Sequence, residues 1–380
     1  MHRLYMFLLL FSLTFLVSCI PPKKIIEDLG IVTAIGFDLD EDEEELIRGT
    51  TVIYQFNPQE TNTSQIITSE GLTVREVRNQ ANKKSMHYVV PGHLNVIIFG
   101  QQIADKGIGP YLDALARNAE IPNTYHITMS LQPANELLNA SNYEDAANVG
   151  AYLNRLLMNA VDNEIIIGSR QFEFFKLFFE SGQDPTIPLL HINNDKVEIA
   201  GIALLQDDRY VGYVDVTDAF YMRLLKEQFE AGELTVQLPT EPFESYLSSY
   251  AKDHLDHFNL SIHQIESDST IKLIDQDALT FKAEVDFKGK LLELSMPLEL
   301  EDSDVISQIE REIEKILEEK LIEIITMTKE KNTDPFGFGK LYDSTVRGKE
   351  LTTEEWRELY PNIEIDFDFN VKITRYGTVD

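Results

Sequence analysis

The sequence has a single cysteine, Cys19, and few basic residues for its length of 380. One cysteine cannot form an intramolecular disulfide, and a thiol-based metal or redox site needs a partner. The chain has 33 Lys and Arg against 64 Asp and Glu, a formal net charge of −31. Such an acidic chain is repelled by nucleic acid and by an anionic membrane surface. The composition therefore excludes a disulfide scaffold and argues against a nucleic-acid-binding protein.

Motifs that carry catalysis are also missing. The sequence contains no GxSxG, no phosphate-binding Walker loop, no HExxH and no paired CxxC. The glycine-containing turns at residues 107–110 and 337–340 lack the context of a phosphate loop. His254 and His257 lie three residues apart beside aspartates and could form a metal-binding face, although a solvated helix is the more typical reading. We therefore predict a non-enzymatic protein with no catalytic, cofactor-binding or metal-binding residues.

An acidic stretch near the N-terminus imitates part of a calcium loop. Asp38, Asp40 and Asp42 have the spacing of the first three ligands of an EF-hand. Glu43 stands where that loop requires glycine, and Gly49 stands where it requires glutamate. The pattern instead predicts a charged hairpin tip between two strands.

The chain does contain a short apolar run directly before its cysteine. Residues 5–17, YMFLLLFSLTFLV, carry no charge and are shorter than the roughly 20 residues of a membrane-spanning helix. Leu16 lies three residues before Cys19 with Val17 and Ser18 between them, which is a lipobox pattern. We predict a cleaved lipoprotein signal peptide and a diacylglycerol thioether on Cys19. An uncleaved membrane anchor and an ordinary secretory signal with an incidental cysteine are the alternatives.

The length of the chain predicts more than one hydrophobic core. Strand and helix signals alternate in the first part, and a break at residues 181–188 precedes a predicted hairpin and a helix at about 217–229. The predicted divisions are a signal peptide at 1–18, a lipidated linker at 19–28, an N-terminal α/β domain at 29–190, a small middle α/β domain at 191–243 and a C-terminal α+β domain at 244–380.

The C-terminal part has the clearest periodicity. Every second residue is apolar around residues 258–262, 281–287 and 363–373, which predicts strands with one buried face. An apolar stripe at helical spacing predicts a long helix at about 303–329. We expect this unit to be an antiparallel sheet covered by the helix. The fold class predicted for the whole chain is α+β, with three domains built on mixed or antiparallel sheets packed with helices.

Several stretches, in this order, resemble one known family. They are LGIVTAIGFD at residues 29–38, SEGLT at 69–73, GHLNVIIFG at 92–100, NAEI at 118–121, AGIALL at 200–205, YVGY at 210–213 and DPFGFG at 334–339. The chain resembles the Ger(x)C-type spore germination lipoproteins, the C subunits of nutrient germinant receptors in endospore-forming bacteria. Members usually begin the mature chain with Cys-Trp-Asp, whereas Cys19 is followed here by Ile20 and Pro21.

The resemblance implies a three-domain protein, lipid-anchored on the outer face of the spore inner membrane. It also implies two integral membrane partners, the A and B receptor subunits. A scaffold or signal-transmitting role fits a chain without a catalytic constellation. The main alternative is a lipoprotein that binds a small nutrient in a cleft between domains, near residue 190. A cell-wall hydrolase is a remoter alternative, because the sequence nominates no pair of catalytic carboxylates.

Overall fold

Two β-sheets organise the chain in the computed structural model. The structure describes residues 28–40, 43, 45–55, 64–140, 143, 146, 148–226, 228–247, 255–296, 298, 300, 302–346 and 351–375. Within these residues the first sheet has nine strands and the second has four. This mixture of sheets packed with helices confirms the predicted α+β class.

The first sheet is parallel at its centre and antiparallel towards both edges. Its strands are β1 (Leu29–Leu39), β2 (Ile47–Gln55), β3 (Ser64–Gly71), β4 (Tyr88–Val90), β5 (Val96–Gly100), β6 (His126–Ser130), β7 (Thr186–Asn193), β8 (Lys196–Gln206) and β9 (Arg209–Asp215). Their order in the sheet is β3-β2-β1-β5-β6-β7-β8-β9, with the short β4 also beside β1. Neighbours from β1 through β5 and β6 to β7 are parallel, and the remaining neighbours in that order are antiparallel.

Helices cover both faces of this sheet, which explains why its central strands are apolar without alternation. In β5, Val96 and Ile98 belong to one hydrophobic core, while Ile97 and Phe99 belong to the core on the other face. The helices of this part are α1 (Val74–Lys84), α2 (Gln101–Lys106), α3 (Gly109–Ala116), α4 (Ala134–Asn139), α5 (Val149–Asp162), α6 (Gln171–Phe178) and α7 (Ala219–Lys226).

The second sheet has four strands and is covered by one long helix. The elements of this part are β10 (Phe229–Pro239), β11 (His257–Asp275), β12 (Thr280–Leu294), α8 (Ser303–Glu330), α9 (Phe338–Thr345), α10 (Thr353–Leu359), β13 (Glu364–Arg375) and two 3₁₀ turns, Glu241–Tyr246 and Tyr360–Asn362. The strand order is β10-β11-β12-β13. The predicted strands and the predicted long helix are confirmed. Phe281 and Phe287 of β12 are fully buried, as is Leu317 of α8. Their core is continuous with the core on one face of the first sheet.

Two details of the predictions, one in the C-terminal domain and one in the middle domain, are wrong. The last strand, β13, runs parallel to β12 rather than antiparallel. A parallel neighbour needs a crossover connection, and α8, α9 and α10 provide it. The helix predicted at about 217–229 ends at Lys226, and the strand β10 begins at Phe229.

The strands of residues 191–243 are shared between the two sheets. The predicted hairpin is present as β8 and β9, and it extends the first sheet beyond β7. The strand β10 instead pairs with β11 in the second sheet. The boundaries of the three predicted domains remain a prediction about folding units.

The predicted signal peptide and lipid attachment site lie outside the described residues. This applies to residues 1–18, to Cys19 and to the linker as far as residue 27. In the part of the chain that the structure describes, no helix is long and apolar enough to cross a membrane. Because Cys19 lies outside the described residues, its lipidation stays a prediction.

Candidate functional site

Polar side chains are buried where the two sheets meet. Asp184, Asp334, Trp356 and Arg357 form this group, which we call the junction cluster. Asp184 precedes β7 of the first sheet, whereas Asp334 follows α8 and the other two residues lie on α10. Asp184 and Asp334 are 2% and 0% exposed. Buried carboxylates are rare unless they are paired or hydrogen-bonded, so their partners define what the cluster does.

Asp184 accepts four hydrogen bonds that come from both halves of the chain. The Nη1 atom of Arg357 lies 2.5 Å from Oδ2, and Nη2 of the same guanidinium contacts Oδ1. Backbone N–H groups of Asp207 and Asp334 donate at 2.9 Å and 2.6 Å. A bidentate pair between arginine and carboxylate fixes orientation as well as distance. The pair therefore locks the loop before β7 against α10.

The guanidinium of Arg357 has further acceptors beside Asp184. Its Nη1 donates to the carbonyl of Asn332 at 2.9 Å, and its Nη2 lies 3.1 Å from Oδ1 of Asp207. Burial alone would lower the pKa of Arg357, but hydrogen bonds to Asp184 and the charges of Asp184 and Asp207 raise it. The side chain is thus a permanent cation shared by both parts of the molecule.

Asp334 begins the DPFGFG stretch and is enclosed by hydrogen-bond donors. Backbone N–H groups of Phe336, Gly337 and Gly339 donate to its carboxylate at 3.2, 2.8 and 2.9 Å. The indole Nε1–H of Trp356 donates at 3.0 Å. The acidic residue and its glycines are therefore explained by local geometry, because the turn folds around the carboxylate and presents α9 to the first sheet.

Two glycines allow the backbones of the two halves to touch. Gly182 has no side chain and a positive φ of 78°. Its carbonyl accepts a hydrogen bond from the N–H of Lys340 at 3.0 Å. A Cβ built on Gly182 would lie 2.5 Å from the carbonyl carbon of Gly339, and one built on Gly339 would lie 2.6 Å from the Cα of Gly182. Close contact of two backbones and a positive φ are the conditions that select glycine.

Further hydrogen bonds continue the same interface along the β8–β9 turn. Thr333 donates its hydroxyl to the carbonyl of Leu205 at 2.5 Å. The amide of Gln206 donates to the carbonyl of Asn332 at 3.0 Å. These contacts join residues more than 120 positions apart in the sequence. The junction is therefore a continuous, hydrogen-bonded seam between the first sheet and the end of α8.

The junction cluster has the chemistry of a structural connection. Its cavity, bounded in part by Gly182, Asp184 and Arg357, has a volume of about 20 Å³, which is close to that of one water molecule. Its carboxylates already accept hydrogen bonds from partners in the protein. Within the described residues, no group of three or more His, Cys, Asp or Glu side chains could hold a metal ion.

The acidic stretch near the N-terminus does not gather into a calcium loop. Asp38 accepts the backbone N–H groups of Ala134 and Asn135, at 2.7 and 2.8 Å, in the first turn of α4. Asp40 pairs with Arg48 at 2.6 Å, across the β1–β2 hairpin. Burial raises the pKa of Asp38, although the N–H groups of α4 and Arg48 oppose that effect. Asp42 lies outside the described residues.

The histidines considered for a metal-binding face are not on a described helix. His257 is the first residue of the strand β11, and His254 lies outside the described residues. Sequence reasoning missed Asp184 and Arg357 as a pair. The available signals were an acidic residue before a proline in the break at 181–188 and a lone arginine in α10, and neither signal names its partner.

Ionisation of Asp334 is expected to weaken the fold as the pH rises. Burial, together with the charge of nearby Asp184, raises the pKa of Asp334 from 3.8 to about 7, although the N–H groups of Gly339 and Gly337 oppose this effect. A pKa that is higher in the folded state stabilises the protonated fold. This contribution is complete below about pH 4 and is lost as the pH passes through about 7. Urea unfolding at about pH 5 and about pH 8 measures it.

The variant Asp334→Asn removes the titrating group. We expect it to be less stable than the parent, because its amide N–H₂ faces N–H donors, but to lose the pH dependence near 7. Thr333→Val is the matched control, since it removes the neighbouring hydroxyl and leaves the carboxyl intact. If the free energy of unfolding of Asp334→Asn still falls between about pH 5 and about pH 8 as that of the parent does, the pH dependence does not come from Asp334.

The fold and the junction define a class of protein: an α+β chain whose two sheets are joined through a buried seam. Comparison with sequence families gives the family. Residues 22–192 match the family described as "Spore germination protein N-terminal domain", and residues 200–377 match "Spore germination B3/ GerAC like, C-terminal". The chain belongs to the Ger(x)C family of spore germination proteins.

Individual proteins are similar over most of their length. The chain is 26% identical to the spore germination protein GerQC of Bacillus cereus over 381 residues, covering 100% of both chains. It is 22% identical to YfkR of Bacillus subtilis (strain 168), covering 90% of this chain and 88% of the relative. The crystal structure of the GerBC protein matches 89% of this chain and 97% of its own, with a TM-score of 0.53 and 14% identity. This last likeness supports the fold.

Proposed function

We propose that this protein is a lipid-anchored, non-enzymatic subunit of a spore nutrient germinant receptor. In this proposal it is the C subunit, held by lipid on Cys19 at the outer face of the spore inner membrane. It works beside the integral membrane A and B subunits as a scaffold or signal-transmitting ectodomain. Membership of the spore germination family supports the receptor role, and the lipobox pattern supports the anchor.

The observation that carries the mechanical role is the buried junction. Arg357 and Asp184 are 173 positions apart, yet their side chains form a bidentate pair that is largely shielded from water. Relative motion of domains is the default unless their interface is large and hydrophobic, and here the core of the second sheet is continuous with the core on one face of the first sheet. A firm seam lets a displacement of one sheet move the other, which a scaffold or a signal-transmitting subunit requires.

The alternative of a nutrient site between domains near residue 190 finds little support at the junction. Small-molecule sites usually have volumes of about 300–1,000 Å³. The cavity beside Asp184 has a volume of about 20 Å³ and is bounded by groups that already bind one another. A nutrient would have to separate Arg357 from Asp184 to enter. We therefore favour the scaffold or signal-transmitting role.

Spores in which Cys19 is replaced by alanine test the anchored-receptor proposal. We expect loss of germination with at least one nutrient, because an unlipidated protein cannot remain at the membrane beside its partners. The measurement is the fall in optical density against a panel of nutrients, with a gene deletion in parallel. Incorporation of labelled palmitate at Cys19 is followed in the same strains.

A non-nutrient trigger provides the control, since it should germinate all strains equally. The deletion is expected to fail with the same nutrients as Cys19→Ala. Normal nutrient germination of the deletion in a strain freed of related receptors would contradict the receptor role. Loss in the deletion together with normal germination of an unlabelled Cys19→Ala strain would contradict only the need for the anchor.

A further inference from the structure

A second, much larger cavity lies away from the junction, on the other face of the first sheet. Its volume is about 540 Å³, which is within the range of small-molecule sites. The helices α1 and α3 form two of its walls, and the rest is formed mainly by β1, β2, β4 and the segment after α3. Two hydrophobic cores pack against the first sheet, and the second sheet contributes residues to one of them. The cavity borders the other core.

The buried lining of this cavity is mainly apolar, with Thr51 of β2 as its buried polar residue. Its most buried apolar side chains are 1% to 3% exposed and come from β1, α1, β4 and α3. They are Val32, Phe37, Val77, Ala81, Val89 and Leu115. Well-packed cores have few voids larger than a water molecule. An opening of this size therefore marks a place where an apolar body could be bound without rearranging the core.

Basic side chains outnumber acidic ones at the mouth of the cavity, whereas the protein as a whole is acidic. Arg75, Arg78 and Arg117 line the mouth, with Glu120 as the carboxylate among the described lining residues. In the whole chain, acidic residues outnumber basic ones almost two to one. The mouth is thus a local positive region on an acidic protein, and such a region attracts anions.

The three arginines differ in how much of their charge is neutralised. Arg78 pairs with Glu120 at 2.9 Å, and Arg117 pairs with Asp113 at 2.8 Å. Arg75 lies on the first turn of α1, is exposed, and forms no ion pair with a described carboxylate. Its guanidinium is the group most available to a ligand at this opening.

We propose that this cavity binds an amphipathic anion, an apolar body with a single anionic head. The body fills the space between α1 and β1, and the head contacts Arg75 at the mouth. A free carboxylate and the phosphate of a lipid share this chemistry. The site is independent of the junction cluster and of the proposed receptor role.

Isothermal titration calorimetry of the full chain in lipid nanodiscs tests this proposal, with empty nanodiscs as the blank. The probes are octanoate, octyl phosphate and uncharged octanamide. We expect saturable binding of an anionic probe, and binding of octanamide about tenfold weaker or less, because a charge-assisted hydrogen bond is lost. The ratio of octanoate to octyl phosphate affinity separates the free carboxylate from the lipid-type phosphate.

Three variants locate the binding. Arg75→Gln should weaken the anionic probe about tenfold and leave octanamide unchanged. Ala81→Leu should prevent binding of every probe, because its side chain occupies the cavity. Lys83→Gln, an exposed change on the same helix away from the cavity, should have no effect. Arg75 is at the surface, so its variant is expected to fold.

Several outcomes would overturn the proposal. They are the absence of saturable heat with both anionic probes, equal affinities for octanoate, octyl phosphate and octanamide, and anion binding that survives both Arg75→Gln and Ala81→Leu. None of these results depends on germination, so failure here leaves the receptor proposal intact.

Discussion

Replacing Arg357 with methionine is expected to lower the free energy of unfolding by about 3 kcal/mol. The substitution leaves the carboxylate of Asp184, which is 2% exposed, without its cation. Breaking one side of a buried ion pair costs more than the pair contributes, because the remaining charge is desolvated. Two backbone N–H groups still hold Asp184, so the loss should lie at the lower end of the usual range.

Urea unfolding followed by circular dichroism measures this loss. The variant Arg117→Met is the matched control, because it breaks an exposed pair with Asp113 and should leave stability unchanged within error. The double variant Asp184→Asn with Arg357→Met should recover part of the loss, since it removes the unpaired charge. A single variant as stable as Arg117→Met would contradict the role given to the junction cluster.

The number of transitions in the unfolding curve is also expected to change in Arg357→Met. If the seam joins the two sheets, the parent protein unfolds in one transition, and the variant separates into two. The second sheet has its own helix α8 and its own buried stripe, so it retains structure after the junction opens. Identical single transitions in both proteins would argue against mechanical coupling through Arg357.

Replacing Gly182 with alanine is expected to lower the free energy of unfolding by about 3 kcal/mol. Part of this loss is backbone strain, since φ at Gly182 is 78°. The rest is steric, because the new Cβ would lie 2.5 Å from the carbonyl carbon of Gly339 and 2.6 Å from the nitrogen of Lys340. Both neighbours are backbone atoms and cannot rotate away. The loop and α9 would have to separate.

Gly92→Ala is the matched control for this substitution. A Cβ at Gly92 would meet only the carbonyl oxygen of Glu120, at 3.8 Å, and Gly92 has no positive φ. We expect a change of less than about 0.5 kcal/mol, the usual result for a surface substitution. Equal melting temperatures for Gly182→Ala and Gly92→Ala would show that the two halves are not in close contact at Gly182.

The two substitutions together bear on how the protein would transmit a signal. Both weaken contacts between the first sheet and the segment that follows α8, while neither changes the cores of the sheets. If spores carrying Arg357→Met or Gly182→Ala retain the protein but germinate slowly with nutrients, the seam itself is needed for the response. Slow germination explained wholly by loss of protein would leave only a stability role.

Local pattern predicted the C-terminal part well because each strand or helix there has one face in the core. The alternation around Phe281 and Phe287 and the stripe around Leu317 are properties of consecutive residues. Their burial is the same whichever strand lies next to them. The direction of β13 was predicted wrongly for the same reason: alternation identifies a buried face but not the orientation of the neighbour.

The candidate site was less accessible from the sequence. DPFGFG was recognised as a family motif, but its acidic residue could not be assigned to the N–H groups of its own turn or to Trp356. The large cavity left no pattern at all, since Val77 and Ala81 look like ordinary core positions of a helix. A cavity is a property of how elements fit together, and it has no local signature.

The sequence by itself determined the family, the α+β class, the long helix and the strands of the second sheet, because composition, motifs and periodicity are local. It also predicted Cys19 as a lipidation site. Only the tertiary structure decided that Asp184 meets Arg357, that Gly182 touches Gly339, and that arginines surround an apolar cavity. A buried charge must find a partner, but when the partner lies 173 residues away the path of the chain selects it.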